Sequence, residues 1–182
     1  MPLLQIRSYP DPALKVAAKP VANITGDVVQ LACSMAETMY AAPGVGLAAP
    51  QVGVSDRVIV LDVRGEDDPP GKRLLKLINP IIAERDGEVV WEEGCLSVPD
   101  FTAEVKRARR VLVRAWTPDE KEIEIEAEEL LAVALQHEID HLEGKLFLDR
   151  LSRLKRDLYR ARQRKLQRQG RPNDSGKRHV LI

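Results

Sequence analysis

The sequence predicts an α+β domain of largely antiparallel sheets packed around a central helix, with a further helix at the C-terminal end. Three observations carry that expectation. Short strand-like runs follow one another between residues 57 and 126, separated by turn residues and with no alternating strand–helix rhythm. An apolar, helix-periodic segment over residues 127–143 then bears His137 and His141, one turn apart. Beyond Arg150 the chain turns strongly basic while keeping a helical pattern to about residue 169.

In chain order, Thr25 or Asp27 caps a first helix in which Val28, Leu31, Ala32, Met35 and Met39 recur at helical spacing, and the Ala-Pro-Gly run at 42–44 ends it. Cys33 falls inside this apolar pattern and is expected to be a buried small hydrophobe. Residues 43–53 read as a Gly/Pro loop whose small side chains suggest backbone packed closely against something; the Lys-Ser/Thr of a phosphate-binding loop is missing. The run Val58-Ile-Val-Leu61 places a strand at 57–63, followed by a loop at 65–71. Further strands are expected at 74–78, 88–91, 105–116 and 122–126, the last two flanking a turn at 117–121. In the final strand Ile123 and Ile125 alternate with glutamates, as one half-buried face requires. The central helix has Glu128 and Glu129 in its first turn and Gly144 just past its end, both favourable in that direction. In the last helix Leu151, Leu154, Leu158 and Tyr159 are expected on one side. The chain thus divides into a domain at 1–150, a basic helix at 151–169 and a flexible tail at 170–182.

A chain of 182 residues with 44% hydrophobic content suits one domain with a real core plus a tail. No run approaches the roughly 20 apolar residues that span a bilayer, and the start lacks the pattern of a signal peptide, so a cytoplasmic protein without membrane contact is expected. The two cysteines, Cys33 and Cys95, are not expected to pair in a reducing compartment. The formal net charge of zero conceals an asymmetry: residues 150–182 carry twelve Lys/Arg and two acids, a charge of +10, which leaves the rest at −10. Such a tail suits contact with a polyanion, nucleic acid being the obvious candidate, and it suits a solvated helix equally.

The chemistry lies in two segments. On a helix the side chains of His137 and His141 stand one above the other and can share one metal, with Glu138 beside them as a base for hydrolysis. Two imidazoles leave a first-row metal short of a stable site. Cys95, in Glu93-Gly-Cys-Leu-Ser97, offers a thiolate as third ligand and leaves a fourth position open, so the central helix is read as metal-binding and the reaction class as metal-assisted hydrolysis. Spacing alone suggests zinc. Gln51 is the polar exception in its apolar run, and its amide is a candidate donor to a developing oxyanion. Asp140 is too far round the helix to join the metal and is expected to pair with an arginine such as Arg107. Two other readings suit the histidine pair: a metallopeptidase or other amidase, and a metal-stabilised RNA-binding module without catalysis. Cys95 and Gln51 argue against the first, and the lack of a further cysteine or nearby histidine to close the site argues against the second.

Three segments together resemble a known family. Gly-x-Gly-x-Ala-Ala-x-Gln at 44–51, Glu-Gly-Cys-x-Ser at 93–97 and Gln-His-Glu-x-Asp-His at 136–141 match the signatures of the peptide deformylases, complete and in order, within a resemblance that spans roughly residues 6–154. The resemblance implies hydrolysis of the N-formyl group from the formyl-methionine of newly synthesised polypeptides, with release of formate. It implies one ferrous ion per chain on Cys95, His137 and His141, with Ni2+, Co2+ or Zn2+ as substitutes. Glu138 would move the proton, while the Gln51 side chain and the backbone N–H of Leu96 hold the oxyanion. The peptide would lie extended against backbone of Val45, Gly46 and Gly94 by adding a strand, its methionine lodged among Val45, Trp91, Leu130, Val133 and Ala134. Some family members are thought to meet the ribosome through a C-terminal helix, which the basic helix here would suit.

Overall fold

The run Val58–Leu61 is buried at every residue because both of its faces are covered. Val58 and Val60 pack with Ala32, Met35 and Met39 of the first helix, whereas Ile59 and Leu61 pack with Ala132, Val133, Ala134 and Leu135 of the central one. Successive strand side chains point to opposite faces, so one short run serves two cores. Burying each such side chain contributes roughly 1.5–3 kcal/mol.

This strand is β2 of a five-stranded sheet in a computed structural model that describes residues 3–168 apart from Glu66. The sheet contains β1 (Gly46–Ala48), β2 (Val58–Leu61), β3 (Leu75–Asp86), β6 (Arg110–Trp116) and β7 (Glu122–Glu128) in that spatial order, with every neighbour antiparallel. A separate antiparallel hairpin pairs β4 (Val89–Cys95) with β5 (Val98–Arg107). Helix α1 spans Gly26–Ala41 with Thr25 at its N-cap, α2 spans Glu129–Leu142, and α3 spans Arg153–Arg168. Helix α2 touches β1, β2, β3, β6 and β7, which makes the histidine helix the centre of the molecule, as its composition predicts. The flexible segment expected over 170–182 lies outside the described residues.

Four expectations need correction. The strand expected over 105–116 is two strands, broken because the Gln136 side chain accepts from Ala108 N and donates to Ala108 O, both at 2.9 Å. With its backbone bonds taken by a side chain, residue 108 leaves one sheet and the chain enters the other. The loop expected over 43–53 contains β1, whose Gly46 and Ala48 pair with Leu61 and Ile59. The short strand expected at 74–78 runs on to Asp86, because register shifts absorb Asn79 and Pro80. Cys33 is only half-buried, with Lys76 Nζ donating to its sulfur at 3.0 Å.

The last helix also differs. Leu151 and Tyr159 are buried, but Leu154 and Leu158 are 70% and 63% exposed, so the four do not share one side. Contact with the body includes Tyr159, whose ring lies 4.7 Å from Phe101 and 5.8 Å from Tyr9, and Arg162 Nη1, which donates to Asp100 O at 3.4 Å. A single aromatic anchor leaves the neighbouring leucines in water.

Candidate metal centre

Cys95 ends β4 and is followed by the Leu96–Ser97 turn of the hairpin, which brings its thiol over the last turns of α2. Its Sγ lies 3.3 Å from His141 Nε2, which in turn lies 3.2 Å from His137 Nε2. All three residues are buried, and their ligand atoms fall within 4.8 Å of one another, a group able to hold one metal ion. The spacing-based triad therefore converges in space, from a strand end and a helix more than 40 residues apart.

The surroundings fit a cation. Burial, reinforced by the carboxylates of Glu138 and Glu93, pushes the Cys95 thiol up. Burial and then Glu93 push the Glu138 carboxyl well up, and burial and then His137 push the His141 imidazole well down. Removal from water disfavours each charged form, and a divalent ion among these donors would supply the positive charge that a thiolate needs. Both Glu138 oxygens are buried without a hydrogen-bond partner. An unsatisfied buried carboxyl is costly in an ordinary core and reasonable in a site built to hold a ligand.

Neighbouring segments aim the polar groups. The Gln51 side chain accepts from Ala48 N at 2.7 Å and donates to Ser97 Oγ at 3.2 Å, which turns its amide nitrogen towards Cys95 Sγ, 3.6 Å away. The N-terminal segment fixes both partners, since Arg7 N donates to Gln51 O and Tyr9 N to Ser97 O. A Cβ on Gly46 would come within 2.9 Å of Glu138 Cδ and closer still to Oε1, so glycine is what lets β1 run against the Glu138 carboxyl. That contact is the close backbone approach anticipated from the small residues of this segment.

Behind His137 lies a chain of buried charges that spacing did not reveal. His137 Nδ1 donates to Glu93 Oε2 at 2.8 Å, which leaves its Nε2 towards Cys95 and His141. Arg107 grips Glu93 through two bonds of 2.6 and 2.8 Å and reaches Asp140 at 2.5 Å. Burial opposes charge on Glu93 and Asp140, but hydrogen bonds from the arginines outweigh it and hold both carboxyls below the usual range. Asp140 thus pairs with Arg107 as expected; Glu93, known at the sequence level only as part of a motif, proves to be the partner of His137.

Of the remaining predicted residues, Gly94 is buried beside Cys95 and Leu96 is half-buried in the turn. Val133 and Ala134 belong to the large apolar cluster between the main sheet and α2, and Val45, Trp91 and Leu130 pack against that cluster. A cavity of about 540 Å³ opens between residues 72–75 and the first turn of α2; Leu130 lines it, and Cys95, His137 and His141 do not.

The family model of the polypeptide deformylases matches residues 3–157. The chain belongs to the polypeptide deformylase family. It is 52% identical over 165 residues to the peptide deformylase of Syntrophobacter fumaroxidans, a match covering 91% of this chain and 96% of that one. It is 51% identical over 176 residues to the peptide deformylase of Alkalilimnicola ehrlichii, covering 97% of each. A peptide deformylase crystal structure from Legionella pneumophila superposes with a TM-score of 0.85 at 45% identity, covering 94% of this chain and 99% of that one. As a deformylase the chain is a metal-dependent hydrolase that removes the N-formyl group from nascent peptides. The metallopeptidase and non-catalytic RNA-binding readings are thereby set aside. Among the described residues no helix is long and apolar enough to cross a membrane.

Proposed function

We propose that Cys95, His137 and His141 hold a ferrous ion and that Glu138 is the base of the deformylation. The observation that carries this is the Glu138 carboxylate, buried and unpartnered next to a ligand group of one thiol and two imidazoles. When bound, the ion supplies a Lewis acid that polarises the formyl carbonyl and lowers the pKa of water. Glu138 takes the proton of the attacking water and returns it to the leaving amine. Gln51 Nε2 and the N–H of Leu96 donate to the oxygen as the formyl carbon becomes tetrahedral, and they cost little reorganisation because Ala48 and Ser97 already orient the glutamine. The peptide adds a strand along Val45, Gly46 and Gly94, recognised by main-chain bonds that ignore side-chain identity. Its methionine enters between Val45, Trp91, Leu130, Val133 and Ala134. Protein purified without oxygen should contain about one iron per chain and lose formate release in air, as iron or Cys95 oxidises, while a nickel-substituted form persists. Stoichiometric zinc with air-stable activity would assign a different metal.

We further propose that residues 1–150 form the catalytic unit of a cytoplasmic enzyme and that basic α3 docks on ribosomal RNA. The +10 charge of residues 150–182 supports this reading, and Arg160, Arg164 and Lys165 stand exposed on α3. Replacing Arg160, Arg164, Lys165 and Arg168 by glutamine should weaken ribosome binding and flatten its salt dependence, because fewer counterions are released. Hydrolysis of short formyl-Met peptides should be spared. Unchanged ribosome affinity at low salt would leave α3 a solvated helix.

A further inference from the structure

The charged chain behind His137 does not end at Asp140. Arg150 closes it from outside: its Nε donates to Asp140 Oδ2 at 2.5 Å and its Nη2 to Oδ1 at 2.6 Å. The sequence of groups is therefore Arg150, Asp140, Arg107, Glu93, His137, with two positive and two negative charges between solvent and the ring. Arg107 and Glu93 have side chains that are fully buried, whereas the Arg150 side chain is 39% exposed, so Arg150 is the accessible end. It closes the short 3-10 turn Phe147–Arg150, immediately before α3. The same turn reaches His137 a second way, through the Phe147 ring stacked 6.1 Å from the imidazole.

We propose that Arg150 is a positioning residue for the metal ligand His137, acting through Asp140, Arg107 and Glu93, so that the segment leading into the C-terminal helix governs how firmly the ion is held. The inference rests on the ligand set proposed above. The reasoning is one of competing partners. Asp140 needs both arginines, because a buried carboxylate with its hydrogen bonds unmade is expensive. Without Arg150, Asp140 draws the Arg107 guanidinium towards itself and weakens the fork on Glu93. Glu93 then no longer fixes the His137 ring, whose orientation depends on the bond its Nδ1 makes. A ligand free to rotate releases its ion faster, although Arg150 is not itself one of the converging ligand residues.

The test uses Co(II) alone as the probe on the full chain. In Arg150→Gln, release of cobalt to a chelator should be about tenfold faster than in wild type, at the lower end of what loss of a group behind a ligand produces. The visible bands of the thiolate-ligated cobalt should shift. Arg150→Lys, which can satisfy one Asp140 oxygen at a time, should release at an intermediate rate. Melting of the metal-free proteins is recorded alongside, since a merely structural role moves the melting temperature and leaves release and spectrum alone. Release within about twofold of wild type with unshifted bands, whatever the melting temperature, overturns the proposal. Should Arg150→Gln fail to fold, Arg150→Lys decides by the same two readouts. Failure of wild type to take up stoichiometric cobalt overturns the ligand set and this inference together; normal uptake, lost in Cys95→Ala but unaffected by the Arg150 changes, overturns this inference alone.

Discussion

Glu138→Gln should release formate from formyl-Met peptides about 10²–10⁴-fold more slowly than wild type, the usual cost of losing a general base, while binding its metal normally. The amide has nearly the shape of the carboxylate and cannot take the proton. Glu138 is not one of the three converging ligand residues, so occupancy should hold. Stability gives a second signature. The carboxyl is fully buried, both oxygens lack partners, and burial followed by repulsion from Glu93 pushes its pKa well up. A neutral amide of nearly the same shape cannot take the charged form that burial and Glu93 disfavour, so metal-free Glu138→Gln should melt no lower than wild type. Steady-state formate release, metal analysis and a thermal melt read the three outcomes. Turnover within about threefold of wild type would remove Glu138 from the chemistry.

What could be read before the structure was the part governed by local pattern. Helical spacing placed His137, Glu138 and His141 correctly because i and i+4 adjacency is a property of any helix. The short apolar run Val58–Leu61 located a strand, though not that its two faces serve two different helices. What could not be read depended on partners distant in sequence. The break at residue 108 is made by a glutamine 28 positions later, so nothing within residues 105–116 signals it. Strand β1 hides in a Gly/Pro-rich run because its reason for being extended is Leu61 and Ile59 on one side and Glu138 on the other. Leu154 and Leu158 have the periodicity of a buried face yet stand in water, since periodicity states which residues share a side and not whether anything covers it. Glu93 was visible as a motif letter, but its bond to His137 required the hairpin to fold over α2.

Cys95→Ala should abolish stable metal binding and, with it, deformylation. Two imidazoles remain on α2, too few protein ligands for a first-row ion that keeps an open position. The loss of affinity should exceed the roughly 10–100-fold typical of changes to groups behind a ligand. The fold should survive, because the substitution removes one sulfur and costs about 1 kcal/mol. Gln51, which loses its contact to Sγ, keeps its bonds to Ala48 and Ser97 and so remains in place. Cys33→Ala is the matched control: that thiol lies half-buried on α1 beside Lys76, and its removal should leave metal content and turnover unchanged. Equilibrium dialysis and metal analysis on both variants separate the ligand from a general thiol effect. If Cys95→Ala kept full occupancy and activity, the third ligand would have to be sought elsewhere. Glu138 would then be the nearest candidate, since its two buried oxygens have no partner, and the Glu138→Gln experiment would change meaning from loss of a base to loss of a ligand. The two variants are therefore best measured side by side: metal retained without turnover in one, and metal lost in the other, is the pattern that a base beside a three-ligand site must give.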